Sequence, residues 1–138
     1  GSESPMNQII EDYQREFARS FDARYAFAFW KGRVGLYAVL RALNIAEDDE
    51  VILPGYTCVM NVNPIKYVGA KPVFVDIEPD TCLIDVDAVE SKITERTRAL
   101  VPVHIGGQPA DIDAIMDHTF DDLDQLADLS FRACPSIV

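Results

Sequence analysis

The turn Lys31–Gly35, which reads Lys-Gly-Arg-Val-Gly, has the residue types best suited to binding an anion. It lies between an aromatic segment and a run of apolar residues at helical spacing. At the start of a helix the first backbone N–H groups are free and the helix dipole is positive, so a phosphate group is attracted there. A glycine turn that only reverses the chain has the same composition. The residues alone leave both interpretations open.

Other polar residues give weaker indications of a site. His104 follows an apolar run, at a position where open α/β sheets bind ligands, but a histidine hydrogen-bonded at a strand end is the favoured interpretation. The acidic residues from Asp76 to Asp87 cross a strand end, a turn and a helix start, which favours capping over metal binding. The cysteines lack paired spacing and are predicted to be reduced structural thiols: Cys58, Cys82 and Cys134.

The elements that position these residues are short apolar strands alternating with amphipathic helices, from Tyr25 to Asp117. This alternation is typical of a parallel α/β fold and predicts four strand-plus-helix units. The predicted strands are Tyr25–Trp30, Glu50–Leu53, Pro72–Ile77 and Arg98–His104. The predicted helices are Asn7–Ser20, Arg33–Leu43, Thr57–Val68, a helix beginning at Asp85 and one beginning at Asp111.

Capping and helix-breaking residues refine the third and fourth helices. Thr57 is predicted to cap the third helix, and Gly69 to lie just beyond its end. Pro64 falls inside that helix, where it costs ~3 kcal/mol unless the helix kinks or divides. Asp85 is predicted to cap the fourth helix.

Length and composition bound the class of protein. The 138 residues suffice for one domain or part of one, and 49% hydrophobic residues predict a globular chain. A net charge of -11 without a basic cluster argues against binding to nucleic acid. No apolar run approaches the ~20 residues that cross a bilayer, so we expect no membrane segment and a cytoplasmic protein.

Five segments, in order, resemble the DegT/StrS family of pyridoxal phosphate (PLP) dependent sugar aminotransferases. The resemblance extends from about Glu11 to Asp117 and includes the run Asp-Glu-Val-Ile-Leu-Pro-Gly-Tyr-Thr. The segments that carry it are Gly32–Leu43, Asp49–Thr57, Gly69–Ile77, Ile93–Leu100 and Pro102–Ile115.

This resemblance implies a fold, a cofactor and partners. The fold is part of a fold type I aminotransferase large domain, three-layered α/β/α with a mainly parallel sheet that lacks its later strands. The complete enzyme is expected to be a PLP-containing homodimer that moves an amino group from glutamate or glutamine to a nucleotide-linked keto sugar. The chain then divides into a tag remnant with a leading helix (1–24), the N-terminal part of the PLP-binding domain (25–117) and an atypical acidic tail (118–138).

The resemblance also implies which residues meet the cofactor. Gly32, Arg33 and Val34 match the family's phosphate-binding turn, with Arg33 where threonine or serine is commoner. Cys58 matches a position from which many relatives stack an aromatic side chain on the pyridine ring. A thiol cannot stack in this way, so either Tyr56 or another residue replaces it, or cofactor binding is weaker.

The family residues that perform the chemistry are expected on later segments. None of the lysines matches the position of the family's Schiff-base lysine, so we expect the chain to be inactive alone and to be a piece of a longer enzyme. The resemblance further implies that only the second and third predicted strands are direct neighbours. Two alternatives remain: a noncatalytic interaction or assembly module, and a sugar dehydratase with histidine in place of the lysine. The lysines that do not match the Schiff-base position are Lys31, Lys66, Lys71 and Lys92.

Overall fold

The computed structural model describes the backbone of residues 5–120 and the side chains of residues 5–117. The segment 121–138, which holds most of the predicted acidic tail, lies outside the described residues. The helices are α1 (Pro5–Ser20), α2 (Gly32–Ala42), α3 (Val59–Tyr67), α4 (Val86–Glu90) and α5 (Ile112–Phe120). The strands are β1 (Glu50–Pro54), β2 (Lys71–Val75) and β3 (Thr97–Leu100).

The three strands form one parallel sheet in the order β2-β1-β3. In the central strand β1, Ile52 lies opposite Val73 of β2 and Leu100 of β3. Every residue of β1 is buried, because helices cover both faces of the sheet. The prediction of a strand buried on both faces is confirmed.

Alternate residues of β1 enter two separate hydrophobic cores. Val51 and Leu53 pack with residues of α2 and α3, including Leu40. Ile52 points to the opposite face and packs in a cluster with Val89 of α4 and Ile115 of α5. The described residues therefore form the expected three-layer α/β/α arrangement, with a parallel sheet in the middle.

A buried carboxylate joins the three strands at the amino end of β1. Glu50 is only 3% exposed. It accepts hydrogen bonds from the Thr94 hydroxyl at 2.7 Å, from Lys71 Nζ at 3.2 Å and from Arg96 Nη2 at 3.1 Å. Since Lys71 begins β2 and the other two partners precede β3, the carboxylate ties both neighbouring strands to β1.

The ends of α3 and α4 show the expected capping chemistry, with one exception. Asp85 Oδ1 accepts a hydrogen bond from Ala88 N at 3.1 Å, which confirms its role as the cap of α4. Gly69 lies beyond α3 with a φ of +87°, as predicted. The prediction that Thr57 caps α3 is wrong: Cys58 is the N-cap residue, and the Thr57 hydroxyl instead accepts a hydrogen bond from the Asn61 side chain.

Pro64 neither ends nor divides α3, which continues to Tyr67. Proline removes only its own N–H, and the carbonyl of Pro64 still accepts the next helical bond, from Val68 N at 3.2 Å. The proline ring is fully buried beneath the helix. Packing of this ring offsets part of the cost of the lost hydrogen bond.

The predicted strand Tyr25–Trp30 is wrong. No residue of this segment pairs with a described strand, and Ala28 N donates instead to the Gln14 side chain at 2.7 Å. Alternation of aromatic and small residues favours a strand only where a neighbouring strand is present to pair with it. Residues 5–120 therefore contain three strand-plus-helix units instead of four.

The predicted neighbours and length of the last strand also need correction. β1 pairs with β3 as well as with β2, so no missing strand separates them. β3 ends at Leu100 and does not reach His104. The last backbone hydrogen bond from this segment to β1 runs from Val101 N to Ile52 O at 2.8 Å. The chain then turns at Gly106 and Gly107, whose φ angles are +61° and +83°.

The leading helix is confirmed as α1, but its apolar face is not buried. Ile9 and Tyr13 are at least 60% exposed, and Ala18 is the buried residue of the helix. No helix in the described part of the chain is long and apolar enough to cross a membrane.

Candidate functional site

The start of α2 has free hydrogen-bond donors. Lys31 is its N-cap residue, with no side-chain cap and no acidic residue in the first turn. Val34 N already donates to Lys31 O at 3.0 Å. Within residues 5–117, the N–H groups of Gly32 and Arg33 have no protein acceptor. Two backbone donors at the positive end of the helix dipole are thus available to an anion.

A side-chain contact brings the start of α3 beside this turn. Arg33 Nη1 lies 2.9 Å from Met60 Sδ, near the beginning of α3. Cys58, two residues earlier, is exposed and caps α3 without a side-chain hydrogen bond. Because α3 follows the carboxyl end of β1, the turn and Cys58 share the sheet edge where parallel α/β folds bind ligands.

An open cleft of about 320 Å³ adjoins the turn and is lined by Arg33, Val34, Tyr37 and Tyr67. Lys31 adds a second cation nearby, with Nζ 4.5 Å from the centre of the Trp30 ring. Neither basic residue forms a salt bridge with another described residue. Although the net charge of the chain is -11, this edge carries two cationic side chains without a described counter-ion.

These residues fit a phosphate group better than they fit an aromatic cofactor ring. The free N–H groups and the unpaired cations suit a phosphate. Cys58 has no π system to stack on a ring, and Tyr56, the nearest aromatic residue in sequence, is 56% exposed. Of the lysines, Lys31 lies over Trp30, while Lys71 binds Glu50 at the opposite edge of the sheet.

The other polar residues of interest have structural contacts. His104 Nδ1 accepts a hydrogen bond from Ala110 N at 2.9 Å, which agrees with the favoured interpretation of a hydrogen-bonded histidine. Asp76 Oδ1 accepts from Ile77 N at 3.0 Å, and Asp85 caps α4. In the part of the chain whose side chains are described, no cluster of three or more potential ligands could hold a metal ion.

Sequence reasoning missed Met60, Tyr37 and Tyr67. Tyr37 lies four residues after Arg33 in the predicted helix, so helical spacing could have placed both on one face. Met60 and Tyr67 gave no comparable signal, because their position beside Arg33 depends on how α2 and α3 pack.

Comparison with known proteins extends these observations. The model of the DegT/DnrJ/EryC1/StrS aminotransferase family matches residues 5–121. DesV from S. venezuelae is 38% identical over 79% of this chain, with a TM-score of 0.76, and the match covers 29% of DesV. NtdA from Bacillus subtilis, solved with bound cofactor PMP, is 31% identical over 78% of this chain and 25% of its own, with a TM-score of 0.76.

A dehydratase has the same local fold. GDP-4-keto-6-deoxymannose-3-dehydratase, solved with a trapped PLP-glutamate geminal diamine, is 25% identical, with a TM-score of 0.76. The match covers 81% of this chain and 31% of the dehydratase. This chain thus spans well under half the length of each relative, and it has the fold of part of a fold type I aminotransferase. The chain belongs to the DegT/DnrJ/EryC1/StrS aminotransferase family.

Proposed function

We propose that this chain is the N-terminal, phosphate-holding part of a PLP-dependent enzyme that transfers an amino group to a nucleotide-linked keto sugar. The observation that carries the proposal is the pair of free N–H groups at Gly32 and Arg33, in a chain of an aminotransferase family. In the complete protein, glutamate or glutamine is the amino donor and two copies form a homodimer. Cys58 and Cys82 are free thiols, as is usual in the cytoplasm, where we place the protein.

Each residue of the turn has a separate role in holding the phosphate. Gly32 and Arg33 donate their backbone N–H groups, and the Arg33 guanidinium adds positive charge. Val34 fixes the backbone of the first helical turn, since its own N–H already binds Lys31 O. Cys58 lies beside the cofactor ring without stacking on it. The family resemblance implies that threonine or serine is commoner at the Arg33 position, and we propose that the guanidinium charge replaces that hydroxyl contact.

Bound PLP supplies an electron sink for reaction at an amino-bearing carbon. This chain contributes binding and orientation, and it keeps the anionic group at the carboxyl edge of the sheet. Among its lysines, Lys31 belongs to the turn itself and lies over Trp30, while Lys71 pairs with Glu50 at the opposite edge of the sheet. We therefore propose that the lysine that anchors the cofactor belongs to a later segment and that the chain is inactive by itself.

A sugar dehydratase is the second candidate, because the solved dehydratase shares the fold of this chain. The two reactions are distinguished by their products. The complete protein, given PLP, glutamate and a nucleotide-linked keto sugar, forms an amino sugar if it is an aminotransferase and a deoxygenated sugar if it is a dehydratase. Mass spectrometry of the products separates the two outcomes.

Fluorescence of Trp30 tests the phosphate site directly. Trp30 is the sole tryptophan and lies next to the turn, so a cofactor bound there quenches its emission. We expect saturable quenching by PLP and much weaker quenching by pyridoxal, which lacks the phosphate. Equal quenching by both compounds would contradict a phosphate site at α2.

A proline substitution removes one donor while preserving the helix. Gly32 is the first residue of α2, where proline is well tolerated, and Lys31 has the extended backbone that proline requires before it. Gly32→Pro is expected to weaken PLP binding about tenfold or more, the usual effect of losing a hydrogen bond to a charged group. Unchanged circular dichroism is the control for helix integrity, and wild-type affinity would exclude Gly32 N–H as a ligand.

A further inference from the structure

The Arg33 side chain is held by an uncharged acceptor. Its Nη1 lies 2.9 Å from Met60 Sδ, and it makes no salt bridge with any residue whose side chain is described. A thioether is a weak acceptor that carries no charge. The contact therefore orients the guanidinium without neutralising it.

An uncompensated cation at this position is unfavourable for the helix alone. The first turn of a helix is stabilised by carboxylates, because the dipole is positive there. α2 has no acidic residue in its first turn, although the chain contains 23 acidic residues. Lys31 precedes the turn and adds to the same positive charge. A bound anion is the group that would compensate both the helix and Arg33.

We propose that Met60 is a positioning residue for the anion site. Its thioether fixes Arg33 beside the turn as a cation without a counter-ion, and this charge sets the affinity for a phosphate group. The inference rests on the proposed function, because it concerns the same turn. A carboxylate in place of Met60 would pair with Arg33 and compete with the phosphate.

Three replacements of Met60 distinguish the effects of its hydrogen-bond acceptor, of an added charge and of side-chain volume. Met60→Gln keeps a neutral acceptor on a chain of similar length, Met60→Leu removes the acceptor, and Met60→Glu adds a negative charge. Arg33→Met removes the cation itself. Met116→Leu, at a half-exposed methionine of α5, is the matched control.

Each variant of the 138-residue chain is titrated with inorganic phosphate while the amide NMR signals of Gly32 and Arg33 are followed. We expect Met60→Glu and Arg33→Met to weaken binding about tenfold or more, and Met60→Leu by a smaller factor. Met60→Gln and Met116→Leu should bind as the wild type does. Added NaCl should weaken wild-type binding and have little further effect on Met60→Glu.

Three outcomes would overturn the inference in different ways. Met60→Glu and Met60→Leu could bind phosphate as tightly as the wild type, with the same salt dependence. Met60 would then have no positioning role, while the phosphate site at the start of α2 would still be supported. If phosphate does not shift the amide NMR signals of Gly32 and Arg33 even in the wild type, both the phosphate site and the positioning role of Met60 are contradicted. A uniform loss across all Met60 variants, Met60→Gln included, would indicate a purely structural residue.

Discussion

At the residue scale, the carboxylate of Glu50 is buried and accepts hydrogen bonds from three side chains. The hydrogen bond from the Thr94 hydroxyl lowers the pKa of Glu50, and Lys71 and Arg96 lower it further, while burial acts in the opposite direction. The native pKa thus lies below that of the unfolded chain. Its contribution to stability is therefore present above the unfolded pKa and is lost as the pH falls through the native pKa.

Glu50→Gln is expected to destabilise the fold at neutral pH and to reduce its sensitivity to acid. The amide keeps the shape of the side chain but leaves Lys71 and Arg96 without their shared counter-charge. Thermal unfolding at neutral and acidic pH measures both effects. Glu90→Gln, at an exposed position, is the control, and equal acid sensitivity of the two variants would contradict the role of Glu50.

At the site, residue types were predictable and contacts were not. From the residues alone, Lys31–Gly35 could be an anion-binding turn or a glycine turn that only reverses the chain, and the family resemblance favoured the first. The sequence did not show that the Val34 N–H is already bonded or that Arg33 contacts Met60. Both facts depend on the geometry of the turn and on helix packing, which local sequence does not encode.

At the scale of elements, Gly69 ends α3 through its backbone conformation. Its φ of +87° strains any residue with a Cβ atom, although the space beside it is sufficient. Gly69→Ala is expected to lower the free energy of unfolding by ~1–2 kcal/mol. Gly69→Asn should lose less, because asparagine tolerates this conformation. Urea denaturation of both variants checks the order, and equal losses would argue against a conformational cause.

The N-cap of α4 provides a second test of how a helix end is stabilised. Asp85 Oδ1 binds Ala88 N, and α4 is only five residues long. Asp85→Ala is expected to cost ~1 kcal/mol of stability. Asp80→Ala, at an exposed position in the preceding turn, should have little effect on stability. A loss of stability comparable to that of Asp85→Ala would show that removal of a negative charge, and not loss of the cap, is the cause.

Elements were predictable where burial and local signals agree. The apolar run of β1 and the periodic pattern of α2 were placed to within a residue or two. Tyr25–Trp30 failed because its strand-like alternation has no partner strand within residues 5–120. The expected pairing of β1 with β2 is confirmed, whereas the pairing of β1 with β3 was not expected. Pairing across a parallel sheet depends on contacts far apart in sequence.

At the scale of the whole molecule, apolar side chains remain exposed. Tyr25, Phe27 and Trp30 are each more than 70% exposed, and β2 and β3 are the edges of the described sheet. Exposed patches of this kind favour association. This observation supports the proposed homo-oligomer, and it also supports the alternative of a noncatalytic assembly module.

The double variant Tyr25→Ser, Phe27→Ser is expected to shift the chain toward the monomer. Both rings are removed without touching the cores around β1. Light scattering over a range of concentrations measures the change, with Ile112→Ser as a control for a less exposed apolar residue. A wild-type chain that stays monomeric at every concentration would contradict association through this surface.

The measurement that tests the central claim most directly is an amide NMR titration of the chain with PLP and, separately, with pyridoxal. We predict that PLP shifts the signals of Gly32 and Arg33 most strongly, because their N–H groups are the free donors at α2. Pyridoxal, without a phosphate, should leave these signals in place. Equal shifts with both compounds, or shifts confined to residues away from α2, would contradict the assignment of this turn to the phosphate of the cofactor.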